Sequence, residues 1–155
     1  MQEFLVAIEA SNAGGAIRTS IWLYPVANVL HVLCAMSFFA AVAAMDVKVW
    51  RAATTAEIRS FIRCVRPYAI VFFALQSVSG LTLFLPEASH TGHNAAFQLK
   101  LVAILLALAN VAALESVLGR TTASAVPSPG LRASAAASLA LWLTVATFGR
   151  LIAYF

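Results

Sequence analysis

Four stretches of this chain, at about 21–45, 68–85, 95–118 and 133–155, are each long and apolar enough to cross a bilayer of ~30 Å hydrocarbon thickness. In hydrocarbon every backbone N–H and C=O has to find its partner inside the protein, so such stretches become α-helices. The expected fold is therefore all-α, a four-transmembrane-helix bundle, with a short N-terminal amphipathic helix at the membrane interface within 1–20. Composition agrees, since 62% of residues are hydrophobic and 10% charged, whereas soluble domains carry about 25% charge. The 155 residues are nearly used up by four spans, so one integral membrane domain is expected, with its chemistry inside the bundle or in short loops. The net charge of +4 is spread over loop ends, which points to membrane topology rather than nucleic acid.

Between Glu3 and Arg18 the apolar residues Phe4, Leu5, Ile8 and Ala16 alternate with Glu3, Glu9 and Asn12, as an interfacial helix broken at Gly14-Gly15 requires. No basic region precedes the first apolar stretch, which is also too long for a leader's core, so no cleaved leader is expected. Pro25 falls in the first turn of span one, where a proline is tolerated. Thr54 to Arg66 is polar and basic, Pro67 opens span two and Pro86 stops it. Gly119 to Arg132 reads as a loop. Lys48, Arg51, Arg59, Arg63 and Arg66, together with Arg120 and Arg132, fall on one side, which the positive-inside rule makes cytoplasmic. The N-terminus, the Glu87–Asn94 loop and the C-terminus then face the periplasm of a bacterial inner membrane. Cys34 and Cys64 belong to different helices and are expected to pack as thiols.

The ionisable residue to be explained first is His31. With a helical rise of ~1.5 Å per residue it lies about 13 Å below Trp22, in the outer half of the core. Tyr24, Asn28 and His31 share a helix face, continued by Cys34 and Ala35, and that face is expected to point into the bundle. Lys100 enters span three roughly 6 to 9 Å below the same surface, and Arg150 with Tyr154 lies within about 8 Å of it on span four. Gln76 on span two is level with His31. The small-residue stripes Lys100, Ala103, Ala107, Asn110 and Ser134, Ser138, Trp142, Gly149 permit close helix approach.

Three readings follow. In the first, the bundle holds haem b with His31 as axial ligand, Lys100 and Arg150 at the propionates, and Asn28, Gln76 and Trp142 around it, making an electron-transfer subunit. The second is a copper or other transition-metal site built from His31, His90 and His93. The third is a non-catalytic subunit of a larger membrane complex, in which His31 bonds Gln76 or a backbone carbonyl and Lys100 and Arg150 reach for the interface. Partners expected beyond the lipid bilayer are a second copy or a membrane complex, and a periplasmic redox or metal-carrying protein. Phosphate-binding glycine loops, GxSxG, HExxH and CxxC are absent from the sequence, which leaves hydrolysis and phosphoryl transfer without machinery.

The chain as a whole resembles an uncharacterised bacterial family of small four-helix integral membrane proteins. The resemblance rests on Tyr24-Pro25 with Leu30-His31-Val32-Leu33, Asp46-Val47-Lys48, Asn94 through Lys100, Ser138 through Trp142, and the ending Gly149-Arg150 through Phe155. It implies the fold and the membrane placement and assigns no activity. More distantly, a histidine in span one followed by a phenylalanine-to-lysine entry into a later span is similar to copper-resistance D-type proteins and b-type cytochrome membrane subunits. The chain departs from the cytochromes in lacking paired intramembrane histidines and from the copper proteins in its short length. Where the family pattern carries an acidic residue three before the first-span histidine, this chain has Asn28, which weakens a proton relay along that face.

Overall fold

A computed structural model describes residues 2–154. Met1, in the expected interfacial segment, and Phe155, at the end of the expected fourth span, lie outside the described residues. The chain runs through α1 (Gln2–Glu9), α2 (Asn12–Thr19), α3 (Leu23–Arg51), α4 (Thr55–Phe84), a 3₁₀ turn (Leu85–Glu87), α5 (Ala88–His93), α6 (Ala95–Arg120), α7 (Pro129–Leu151) and a closing 3₁₀ turn (Ile152–Tyr154). Among the described residues there is no strand. The four helices α3, α4, α6 and α7 are long and apolar enough to cross a membrane, and the protein is an all-α four-helix bundle of multi-pass membrane type. Apolar side chains crowd its outside, as at Val29, Val78, Leu105 and Leu143, the arrangement expected where the surrounding solvent is lipid.

Two of the spans start earlier than the sequence suggests. Helix α4 begins at Thr55 rather than after Pro67, because the hydroxyl of Thr54 accepts from the Glu57 N–H at 3.4 Å, the arrangement of a T-x-x-E capping box. Ile58 and Ile62, four apart, are buried while Arg59 and Arg63 share the first turns with them, so the basic segment is one amphipathic face of a continuous helix. Pro67 sits inside this helix and removes a single backbone bond. Helix α7 begins at Pro129, with the Ser128 hydroxyl accepting from Leu131 N–H at 3.3 Å. Span one continues to Arg51 because Val49, 1% exposed, still belongs to the core. In the N-terminal segment the break falls at Ala10-Ser11, where Ser11 caps α2, and Gly14-Gly15 lies inside that helix.

Helix α3 packs on both α4 and α7, and α7 packs on α6. Helices α4 and α6 close the ring with side chains: Arg66 pairs with Glu115, and Arg59 donates to the carbonyls of Leu118 and Thr121. One core cluster gathers Phe38, Val42, Ala69, Ala103, Ala107, Trp142 and Val145, and a second gathers Val49, Ala52, Ile58, Ile62, Leu118, Leu131 and Ala135 at the end that carries the basic residues. The small stripes of α6 and α7 meet each other, with Ser134 and Asn110 bonded reciprocally between the two helices (Ser134 Oγ to Asn110 Oδ1 2.9 Å, Asn110 Nδ2 to Ser134 O 3.0 Å). At the basic end the 121–128 loop is pinned to the start of α4 by Thr55 N–H on Ala125 O and Ala56 N–H on Ala123 O, both 2.9 Å.

At the opposite end α1 and α2 fold onto the 3₁₀ turn and α5. The Glu9 carboxylate accepts from the Ser89 N–H at 3.1 Å and from the Ser89 hydroxyl, and Arg18 donates to the Pro86 carbonyl at 2.7 Å and pairs with Glu9 at 3.2 Å. The Glu87–Asn94 segment, expected as a loop capping the bundle, is helical and is itself covered by α1 and α2. Both cysteines are free, Cys34 buried and Cys64 exposed.

Candidate functional site

In the half of the bundle away from the basic end, the side chain that most needs a partner finds one on the neighbouring helix. His31 Nδ1 lies 3.0 Å from the backbone carbonyl of Gln76 and 3.1 Å from Ser79 Oγ. A carbonyl only accepts, so Nδ1 carries the proton and donates it. Nε2 is left as the free ring nitrogen. Ser79 is buried, and its hydroxyl is in turn bonded to the Leu75 and Gln76 carbonyls at 2.9 and 3.1 Å. Gly80 makes this approach possible, since a Cβ there would stand 3.0 Å from His31 Cε1.

The sequence correctly brings His31 level with Gln76. The contact is made through the Gln76 backbone, however, and its side-chain Oε1 is buried without a partner. Lys100 also reaches this level. It is half-buried, forms no ion pair among the described residues, and its charge is close enough to act on the His31 ring. Gly149 of α7 provides the space, as a Cβ there would be 3.2 Å from Lys100 Nζ. The site therefore holds an oriented imidazole, an unpaired ammonium and an orphaned amide oxygen.

Other residues expected around His31 are elsewhere. Asn28 is exposed; the buried stripe of α3 runs Ala27, Cys34, Phe38, Val42, Asp46 and Val49, with His31 at its edge, and Asn28 falls outside it. Tyr24, at 36% exposure, is likewise outward. Arg150 is exposed and turned onto Tyr154, its Nη2 donating to the hydroxyl at 3.2 Å and its guanidinium 5.2 Å from the ring centroid. Trp142 is buried against Phe38, ring centroids 4.6 Å apart and planes at 79°, seven residues along α3 from His31. The cation–aromatic pair thus takes Arg150 away from the histidine, and aromatic packing takes Trp142.

His90 and His93 lie exposed on α5, with His93 Nδ1 donating to the Ser89 carbonyl at 2.7 Å. Among the described residues no three of histidine, cysteine, aspartate and glutamate form a group able to hold a metal ion, so His31, His90 and His93 do not share a site. Ser79 and Gly80 stand beside Gln76 on span two in the sequence without a role assigned to them, and Asp46, expected at the interfacial end of span one, is only 5% exposed despite standing two residues before Lys48. The signal for Asp46 was present: it follows Phe38 and Val42 at four-residue steps, on the core face. Outside the spans, the Ser89 hydroxyl and N–H, joined by Arg18, hold the Glu9 carboxyl below its ordinary value of 4.5. Compared with protein-family models, curated proteins and solved structures, the chain finds no match.

Proposed function

We propose that this chain is a haem-b-binding electron-transfer subunit of a bacterial inner membrane, with both termini periplasmic, in which His31 would ligate the iron and Lys100 would pair with a haem carboxylate. One observation carries the reading: Nδ1 of His31 is fixed on the Gln76 carbonyl, which leaves Nε2 as the free ring nitrogen. A metal-ligating histidine usually has its other nitrogen held this way by a carbonyl or carboxylate, fixing both tautomer and ring orientation. When bound, haem supplies a one-electron couple whose potential is set by ligand and surroundings. The chain's own contribution is to hold the ring through Gln76 and Ser79, leave it room at Gly80, and offer an ammonium with no protein counter-ion to a carboxylate.

The donor set supports a single protein ligand per chain. His90 and His93 are outside the bundle, so a bis-histidine pair calls for a second copy contributing its own His31. Arg150, held by Tyr154, and Asn28, outside the core stripe, drop out of the expected set, and Trp142 belongs to the core. The exposed α5 histidines and the surface made by α1 and α2 are where a periplasmic redox partner would meet the chain. With its three histidines apart, copper handling is the less favoured reading.

A structural subunit is the second reading, favoured by the same His31 bonds, which join α3 to α4 whatever else they do. Spectra of the detergent-purified protein, expressed with haem supplied, decide between the two. The haem reading expects a Soret band with an α-band that sharpens on dithionite reduction, lost in His31→Ala while Gln98→Ala, outside the site, retains it. A colourless protein whose His31→Ala variant melts lower overturns the haem reading and leaves the structural one.

A further inference from the structure

The bundle also holds a cavity away from His31. This cavity, of about 380 Å³, lies among all four long helices, nearer the basic end. Its walls are mostly apolar, Phe38, Val42, Phe73 and Trp142 among them, but Asp46, Asn110 and Ser138 also line it, and the Arg66–Glu115 pair stands beside it. Its volume falls within the ~300–1,000 Å³ range of ligand sites, which combine apolar walls with a few convergent polar groups.

Two of the polar groups each leave a buried atom without a partner. Asp46 and Trp142 are 5% and 6% exposed, yet Asp46 Oδ2 and Trp142 Nε1 are buried with no hydrogen bond. Among the described residues no lysine, arginine or histidine nitrogen lies within ion-pair distance of Asp46. Leaving either group unsatisfied in a low-dielectric interior carries a cost, and in the same cavity they form one acceptor and one donor awaiting a complement.

The cavity also has a side facing lipid. Helices α4 and α6 are joined by long side chains rather than by close packing, and Ile70, Leu108 and Val111, which line the cavity from these two helices, are 60%, 42% and 39% exposed. An entrant from the bilayer would pass between apolar side chains and meet the rings of Phe38, Phe73 and Trp142, which pack mutually with centroids 4.6 to 6.1 Å apart.

We infer that this cavity binds a lipid-soluble amphiphile with a hydroxylated aromatic head, of the quinol class, its head on Asp46 and Trp142 and its tail leaving between α4 and α6. A hydroxyl matches both orphans, donating its hydrogen to the carboxylate and accepting from the indole N–H with its oxygen. A lipophilic cation would satisfy only the carboxylate, would leave the indole N–H unpaired, and would share the cavity with the Arg66 guanidinium. The flat aromatic walls suit a ring. The inference does not depend on haem at His31, which is on a different part of the bundle.

The test uses the full chain in lipid nanodiscs and a short-tailed benzoquinol as probe. The chain has three tryptophans, and replacing the two exposed ones (Trp22→Phe, Trp50→Phe) leaves Trp142 as the sole reporter. Binding predicts saturable quenching of Trp142 fluorescence. In that background Asp46→Asn should weaken the apparent affinity at least several-fold. Val111→Phe, which narrows the lipid-side opening without touching either orphan, should weaken it as well while the melting temperature stays near that of the parent. Quenching that never saturates and is unchanged in both variants would mean partitioning into lipid and would overturn the proposal. Tetraphenylphosphonium binding that depends on Asp46, with no saturable response to the quinol, would overturn it in favour of a lipophilic-cation site.

Discussion

A methyl group at Gly80 would press on His31 Cε1 from 3.0 Å, and the ring is held where it is by the bond from the neighbouring Nδ1 to the Gln76 carbonyl. Gly80→Ala should therefore push α3 and α4 apart at the candidate site, at the 1–3 kcal/mol that overpacking typically costs. Thermal unfolding in detergent checks this, and if the proposed haem is bound, its absorption should shift as well. His31→Ala is expected to be milder for stability alone, since side-chain hydrogen bonds between membrane helices average about 0.6 kcal/mol. Asp46 should behave in the opposite sense. A buried carboxylate with one oxygen unpaired costs the bare fold, so Asp46→Asn should raise stability by about 1 kcal/mol while impairing ligand binding. A fall in melting temperature would show that an ionised Asp46 supports the fold. Such a gain in stability at the expense of function is the mark expected of a binding residue.

Among the elements, the N-terminal pair α1–α2 is tied to α5 through Glu9 as well as through apolar contacts such as Leu5 on Gly92. The Glu9 carboxyl is held below 4.5 by Ser89 and Arg18, so the ionised form is the bonded one. The stabilisation is complete above the unfolded value of about 4.5 and disappears as pH falls through the lower folded value. Acidification below this point should release α1 and α2 while the bundle stays intact, measured as faster amide exchange in residues 2–19 ahead of the spans. Ser89→Ala should make the same segment exchange faster already at neutral pH and flatten its pH dependence. At the head of α6, Asn94 accepts from the Ala96 and Phe97 N–H groups at 2.8 and 3.3 Å and is buried. Asn94→Ala should cost about 1 kcal/mol, the usual worth of an N-cap, more if the half-buried carbonyl of Ile152, 3.4 Å from Asn94 Nδ2, loses its donor too.

For the molecule as a whole, the helix ends at Arg51, Thr55, Arg120 and Pro129 lie together, and with them every lysine and arginine apart from Arg18, Lys100 and Arg150. If that end is cytoplasmic, a reporter fused to the C-terminus should be active as a periplasmic alkaline phosphatase and dark as a green fluorescent protein. The reverse pattern would invert the proposed orientation and place the His31 site toward the cytoplasm. Closure of the ring between α4 and α6 is another whole-molecule property. Removing the Arg66 side chain should loosen that edge and speed ligand exchange in the cavity more than it lowers stability, because the Arg66–Glu115 pair is partly solvent-exposed.

What the sequence determined by itself is the class of structure: helices, because apolar stretches of that length have no other way to satisfy their backbone in lipid, and the depth of each polar residue, because helical rise is fixed. His31 was placed level with Gln76 by depth alone, and the small residues of α6 and α7 marked faces able to pack closely, without saying against which helix. The start of α4 was also legible in Thr54 and Glu57, though the polarity of the segment and Pro67 argued for a loop. Rotation about each helix axis was not legible. Helix α3 is apolar nearly all round, so hydropathy does not distinguish its core side from its lipid side; Asn28, expected to face the bundle, lies outside, whereas Asp46, expected at the interfacial end, is buried. Packing against α4 and α7 decided that rotation, turning Asn28 out and Asp46 in. The same packing set Lys100 beside Gly149 and turned Arg150 to Tyr154. Four helices meeting unevenly, close on three sides and bridged on the fourth, left the cavity in which a carboxylate and an indole N–H stand unpaired.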